Sequence, residues 1–520
     1  MADPVIVGLD FGTSGVKLAA VSPDGTTLLS AFAGYPTITG SGIAGSAEQD
    51  PADWWAAART VCGELAGAGL ADRVVALGVT GQMQDLVPVR TGTQALAGSA
   101  VRPVLLYSDT RAGLEHAALV DRLPGWEERT GNHQDVSNVA AKISWLAAHE
   151  PATLAVATHL LFGAHSYIAW RAAGTTAEAA LCDVVTASTT GLLNIETRDW
   201  DAEVLAVSGA RFDQLPRLSG SGPESVAGAL DPAAAAELGL PAGIPIAHAT
   251  GDAGATTDGL AGSTPGDAYL YLGGSGWLAA VTPAAEPGSP QAEPSPIHSL
   301  VMPGWDTRLR IGAVQSAGSA SAWALETFLP GCDFAVAEAR IAARVSDPAA
   351  LAARPLVLPG LGGERTPVRD GALRGAFVGV TEQTTPEDLY LGVLTGVAMG
   401  LRHASDAMGI TQDRLPLVGG GSDSPAWRQI CADVFGATMV TGDTAGSAEE
   451  DPGSRSAARA AADAIGLSHQ IEPLLSAHGT AGRILTETRP GPARGPLTER
   501  LATHRALYAA LTPTFHQLTR

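Results

Sequence analysis

At 520 residues the chain has room for two to four domains of roughly 100–200 residues each. Hydrophobic residues make up 45%, charged residues 16%, and the formal net charge is −21. That balance argues against nucleic acid or an acidic membrane surface as a partner, since both need clustered Lys and Arg. The chain has two lysines, Lys17 and Lys142, so any phosphate site must rely on backbone N–H groups, a few cations and a metal.

The first residues, MADPVIVGLDFG, have no basic segment ahead of their short apolar run, so no secretory leader is expected. No run of about 18 apolar residues marks a membrane span, and the expected location is cytoplasmic. Val5–Leu9 predicts a buried strand, Gly12-Thr13-Ser14-Gly15 a tight turn and Val16–Val21 a second strand, together a hairpin with a glycine-rich tip. Ala52–Ala68 predicts a helix and Val74–Thr80 a strand. Strands alternating with helices favour an α/β fold. Four cysteines, Cys62, Cys182, Cys332 and Cys431, stand far apart with no C-x-x-C pair, which reads as scattered thiols in a reducing compartment.

Polar clusters follow two of the strands. Gly81-Gln82-Met83-Gln84-Asp85 comes after Val74–Thr80, and Tyr107-Ser108-Asp109-Thr110-Arg111 after Val104–Leu106. Amides, carboxylates and a guanidinium suit the hydroxyls of a sugar. Trp54, Trp55 and Trp277 are candidates to stack on sugar carbons, against the commoner role of tryptophan in a core. Ile244–His248 predicts a strand running into Thr250-Gly251-Asp252-Ala253-Gly254. A single carboxylate among small residues at a strand end can take the proton of an attacking hydroxyl, or simply cap a helix or turn.

An internal repeat organises the chain. Leu9-Asp10-Phe11-Gly12-Thr13-Ser14-Gly15 recurs as Leu270-Tyr271-Leu272-Gly273-Gly274-Ser275-Gly276, and both copies lead into an Ala-Ala-Val strand. This predicts two related α/β domains facing a cleft, with two small-residue turns able to clamp a polyphosphate through backbone N–H groups. A Walker A loop is absent, since Gly-Lys never occurs. Asp10, which becomes Tyr271 in the second copy, is the candidate Mg²⁺ carboxylate, the alternative being a turn cap. Further on, a strand ends in Gly419-Gly420-Gly421-Ser422 and a helix is predicted from Pro425 to Phe435, a place for adenine and ribose; G-x-G-x-x-G spacing is missing, which disfavours NAD. Pro283–Pro296 and Thr441–Ser456 read as irregular stretches, and the last 25 residues or so as a terminal helix.

Taken in order, these pieces resemble the FGGY carbohydrate kinases, and their xylulokinase branch most. Matching stretches run from about Val5 to Ile465 and include Gly8–Lys17, Glu48–Trp55, Gly81-Gln82-Met83, Ser108–Arg111, Asp183–Leu193, Gly251-Asp252-Ala253, Gly363–Pro367, Arg374–Gly379 and Gly419–Ser422. The resemblance implies an α/β, actin/hexokinase-like (ribonuclease H-like) duplicated two-domain fold with a central cleft. It implies domains over 1–258 and 259–520, the last helix packing back on the first. By the same resemblance Asp252 is the catalytic base and Asp10 the metal residue; Gln82, Met83, Gln84 and Asp109 join Asp252 around the sugar. Gly12, Thr13, Ser14, Lys17, Gly273, Gly274, Ser275, Gly419, Gly420, Gly421 and Ser422 would hold ATP and its phosphates. The implied partners are Mg²⁺, ATP/ADP and a small sugar such as D-xylulose, with no nucleic acid and no membrane, and a homodimer is the expected assembly. An actin- or chaperone-like ATPase and a non-catalytic sugar-binding relative are the competing readings. The chain departs from the branch pattern at Gln84, where His is usual, at Tyr107-Ser108, where Trp-Asn is common, and at His165-Ser166, where Lys-Asp is common. Val139 and Thr395 depart too, in place of a small hydroxyl or proline and of an acid.

Overall fold

The computed structural model describes residues 3–39, 42–91, 100–284, 296–366, 368–442, 451–475 and 484–518. Two large sheets carry the molecule. The first is built from β1 (Val5–Phe11), β2 (Gly15–Val21), β3 (Thr27–Gly34), β4 (Val74–Gly81), β5 (Val226–Ala229) and β6 (Pro245–His248), in the order β5-β6-β4-β1-β2-β3. The second comprises β7 (Ala268–Leu272), β8 (Gly276–Pro283), β9 (His298–Val301), β10 (Thr307–Val314), β11 (Arg414–Val418), β12 (Thr438–Gly442) and β13 (Ile484–Thr488), in the order β9-β10-β8-β7-β11-β12-β13.

The two sheets share one plan. In each, an antiparallel hairpin (β1–β2, β7–β8) extends to a third antiparallel strand. On the other side lie two parallel strands (β4 and β6; β11 and β12) and then an antiparallel edge. This is the duplication that the repeat predicts. The register refines it. Four residues, Gly12 to Gly15, separate the Phe11–Val16 pair in the first hairpin, whereas three, Gly273 to Ser275, separate the Leu272–Gly276 pair in the second. The second turn is therefore one residue shorter, and Trp277 faces Tyr271 as Lys17 faces Asp10.

Strand β1 is buried along its whole length because helices cover both faces of the sheet. One face packs on α1 (Pro51–Gly67), which starts at an Asp50 cap followed by proline. On the other face, Ile6, Ala19, Ala76 and Ala247 meet Ala458, Ala461 and Ala462. Further helices are α2 (Val139–His149), α3 (Asp252–Leu260), α4 (Gly318–Phe328), α5 (Pro386–Ala407) and α6 (Pro425–Phe435).

The expected boundary at 258/259 lies within α3. The final helix, α8 (Arg494–Leu518), stays with the second domain: Leu497 and Leu501 join its core, and Tyr508 packs with Leu358 and Leu373. The helix that crosses to the first domain is α7 (Pro452–Ala464). Its backbone lies directly on the strands. A Cβ added at Gly8 would stand 1.8 Å from the Ser454 carbonyl oxygen, and one at Gly259 of α3 would stand 2.0 Å from that of Pro452. Of the irregular stretches, residues 285–295 and 443–450 lie outside the described residues, and Pro452–Ser456 is helical. Among the described residues, no helix is long and apolar enough to cross a membrane.

Candidate active site

The carboxyl ends of β1, β4, β6, β7 and β11 lead into the segments singled out from the sequence, the usual place for ligands in open α/β sheets. In the first turn the carbonyls are occupied. Tyr35 Oη donates to the Gly12 oxygen, Gln49 Nε2 donates to the Thr13 oxygen at 2.8 Å, and the Tyr35 N–H to the Ser14 oxygen at 3.2 Å. Among the described residues no acceptor meets the N–H groups of Thr13 and Ser14, which are exposed. The second turn follows the same rule. The Gly274 oxygen accepts from Ala317 N at 2.9 Å and Ser319 N at 3.0 Å, and the Gly273 oxygen from Gly318 N at 2.7 Å, so the turn docks on the start of α4. Turns with satisfied carbonyls and open N–H groups are anion cradles.

Gly419–Ser422 lies against the second hairpin. Gly419 has φ +87, and a Cβ there would stand 2.6 Å from the Leu272 oxygen, so only glycine fits. Nothing lies within 4 Å of a Cβ at Gly420, which leaves that side of the loop open. Ser422 N donates to the Gly419 oxygen at 2.8 Å, closing the turn.

Acidic groups gather beside the first turn. Asp10 is buried, and its Oδ1 has no partner among the described residues. Burial, then the Asp451 and Asp252 carboxylates, push its pKa well up. Lys17 Nζ donates to Asp451 Oδ1 at 2.7 Å; the cation expected for phosphate thus already has a carboxylate partner. Asp451 was missed by sequence reading. It caps α7, accepting from Ser454 N at 2.8 Å, and the Asp-Pro step before a small-residue run was the available signal.

Asp252 is the first residue of α3, at the far end of β6. Burial pushes its pKa up to about 6, against the pull of His165 and the Ala253 N–H. Behind it lies a buried polar cluster. Asp183 accepts from Gly251 N at 3.2 Å and Thr186 N at 2.9 Å, and its Oδ2 is 2.9 Å from His165 Nε2. Burial opposes ionisation of Asp183, but the bond to His165 holds its pKa at about 2. His248 stacks on His165 at 4.8 Å and bonds to Ser166 Oγ at 2.9 Å; burial lowers its pKa to about 3, so it is neutral. Ligand atoms of His165, Asp183 and His248 lie within 4.8 Å of one another, as a metal site would require, yet each already has a hydrogen-bond partner: His165 bonds to Asp183, His248 to Ser166, and Asp183 also accepts from Gly251 N.

Beside Asp252, Met83 packs on Gly251: a Cβ there would stand 2.3 Å from Met83 Cγ. Gln82 is buried and its Nε2 donates to Gln49 Oε1 at 3.0 Å, linking this segment to the first glycine-rich turn through Gln49. Gln84 is half-buried. Asp109 is fully buried and accepts from Ala47 N at 2.8 Å and, bidentately, from Arg111, which makes it a brace of the wall. Trp54 and Trp55 take the commoner core role: both are buried in the first core, with Nε1 bonded to Gln49 and Glu237 respectively. Trp277 is half-buried and stacks on Tyr271 at 3.8 Å beside Met83 and Ala253.

Comparison with known proteins gives a consistent answer. The profile of the FGGY family of carbohydrate kinases, N-terminal domain, matches residues 5–259, and that of its C-terminal domain matches residues 279–448. A xylulose kinase of Escherichia coli (strain K12) is 31% identical over 441 residues, covering 83% of this chain and 84% of the relative. A glycerol kinase of Gloeobacter violaceus is 29% identical over 451 residues, 83% of each. The crystal structure of a xylulose kinase from Rhodospirillum rubrum superposes with a TM-score of 0.83 at 28% identity, covering 98% of this chain and 100% of that one.

Proposed function

The chain belongs to the FGGY family of carbohydrate kinases, and from that premise we propose that it transfers the γ-phosphate of ATP directly to a hydroxyl of a small ketose or polyol, with Asp252 as general base. The observation that carries the reading is Asp252 itself. It is a half-buried carboxylate just past a strand end, with desolvation raising its pKa to about 6, and it is backed by the Asp183–Gly251 bond, in a molecule with two turns whose N–H groups stand open. A carboxylate so tuned accepts a hydroxyl proton near neutral pH. In the transfer, the sugar oxygen bonds to the γ-phosphorus, the bond from phosphorus to the β–γ bridging oxygen breaks, and the proton passes to Asp252 and then to water. ADP leaves with the electron pair.

The turns at Gly12–Ser14 and Gly273–Ser275 would cradle the phosphates, and Gly419–Ser422 the adenosine. The acidic pair Asp10 and Asp451, with its orphaned buried oxygen, fits a divalent cation; these residues would hold Mg²⁺, which would offset phosphate charge. Replacing Asp10 by Ala is expected to raise the Mg²⁺ concentration needed for half-maximal activity and to lower turnover. Sugar binding without nucleotide, measured by tryptophan fluorescence, should hold. An unchanged Mg²⁺ titration would make this carboxylate structural.

D-Xylulose is the first candidate substrate, with a primary hydroxyl as acceptor. Gln84 argues for a shifted preference, because an amide is always neutral with fixed donor and acceptor sides whereas imidazole can donate, accept or carry charge. Sites built on one hydroxyl pattern reject analogues that leave polar groups unpaired. A screen of ketoses and polyols with coupled ADP detection is expected to find a better substrate than D-xylulose, and Gln84→His to shift kcat/KM toward D-xylulose. Sugar-independent ADP release would instead point to an actin-like ATPase. A wild type that prefers D-xylulose over all others, with a ranking untouched by Gln84→His, would refute the argument from Gln84.

A further inference from the structure

The second lysine of the chain is enclosed by protein. Lys142, on α2, has no exposed surface, and its Nζ donates to the Gln84 carbonyl at 2.9 Å. Gln84 has φ +64, a left-handed backbone that glycine adopts freely and other residues keep only where their surroundings over-determine it. Those surroundings are specific. Burial lowers the pKa of the Lys142 ammonium to about 8, against the attraction of Asp85, Asp109 and Asp135, so it stays charged at neutral pH. Asp109 is committed to Arg111 and Ala47, and Asp85 Oδ1 accepts from Tyr107 N at 2.9 Å. Among the described residues Lys142 has no carboxylate within ion-pair distance, so its charge-assisted bond falls on the Gln84 carbonyl. One residue earlier, Met83 presses on Gly251, next to Asp252.

We propose that Lys142 is a positioning residue for sugar selection: its ammonium pins the Gln84 carbonyl and so holds the 82–85 turn in the left-handed form that seats it beside Gly251 and Asp252. This rests on the reading above that the turn borders the sugar. Gln84 has the wrong residue type for its own backbone conformation, and a buried donor supplies what glycine would otherwise supply.

Lys142→Met keeps the stem and removes the donor. The KM for the best sugar should rise about tenfold or more, as for loss of a charge-assisted hydrogen bond, and discrimination among sugars should weaken. The KM for ATP and kcat at saturating sugar should stay near wild type, a split that general loss of stability would not produce. Lys142→Arg, which keeps donors, should recover part of the loss. In the double variant Lys142→Met/Gln84→Gly the turn no longer needs a pin; if Lys142→Met alone does not fold, the double variant should. A folded Lys142→Met with wild-type sugar KM and ranking overturns the proposal, as does a double variant that still fails to fold. Failure of the kinase reading would look different, with no sugar stimulating ADP release in the wild type, and would take this proposal with it.

Discussion

Asp252→Asn should bind sugar and nucleotide and turn over roughly 10²–10⁴-fold more slowly than the wild type, the range found when a general base is removed. The amide keeps the volume and the place at the start of α3 but cannot take a proton. The pH profile adds a second reading. Burial pushes the carboxyl up to about 6, and a base works only in its ionised form, so kcat/KM of the wild type should fall about tenfold per pH unit below that value. The Asn variant shares the titration of ATP itself and serves as the baseline; its profile should lack the added acid limb. A variant with near-normal kcat would remove Asp252 from the chemistry.

The largest effect on stability is expected from Gly78→Ala. Glycine in a strand is ordinarily a weakness, and alanine there should help by roughly 0.5–1 kcal/mol. Here a Cβ would lie 1.8 Å from the Ala457 carbonyl oxygen and 2.5 Å from its carbon, both backbone atoms of α7 with no rotamer to yield. The helix would have to lift from β4, and overpacking of this kind costs about 3 kcal/mol or more. Gly63→Ala is the control. It sits in α1, its added Cβ meets nothing within 4 Å, and alanine should raise stability by up to about 1 kcal/mol. Thermal and urea unfolding of the three proteins side by side checks the ranking. A Gly78→Ala protein as stable as wild type would show that the helix does not bear on the strand.

Local signals account for what could be read from the sequence. Glycine-punctuated apolar runs marked β1, β2, β4 and β11, and the proline at 425 with the glycine after Phe435 bracket α6. The duplication was visible because both hairpins carry the same small-residue tip. The one-residue difference between them was not, because Gly/Ser tips align equally well in either register. Only the strand pairing shows that Trp277, and not Leu278, is the counterpart of Lys17. Asp451 escaped because its partner, Lys17, is 434 residues away. Asp109 suits a sugar by residue type, but Arg111 two positions on engages it, a pairing that proximity in sequence alone made readable.

The return of α7 to the first sheet means that the lobes are interlaced and cannot be treated as modules. A single cut between them would leave Ile6, Ala19, Ala76 and Ala247 bare on one piece, and Ala458, Ala461 and Ala462 bare on the other. Exchange of a lobe between relatives, by recombination or by grafting, must therefore carry two separate stretches of chain with it. Change on the buried face of α7 is likewise tied to change in strands encoded hundreds of codons earlier, so the halves of this protein are inherited as a unit although each repeats the plan of the other.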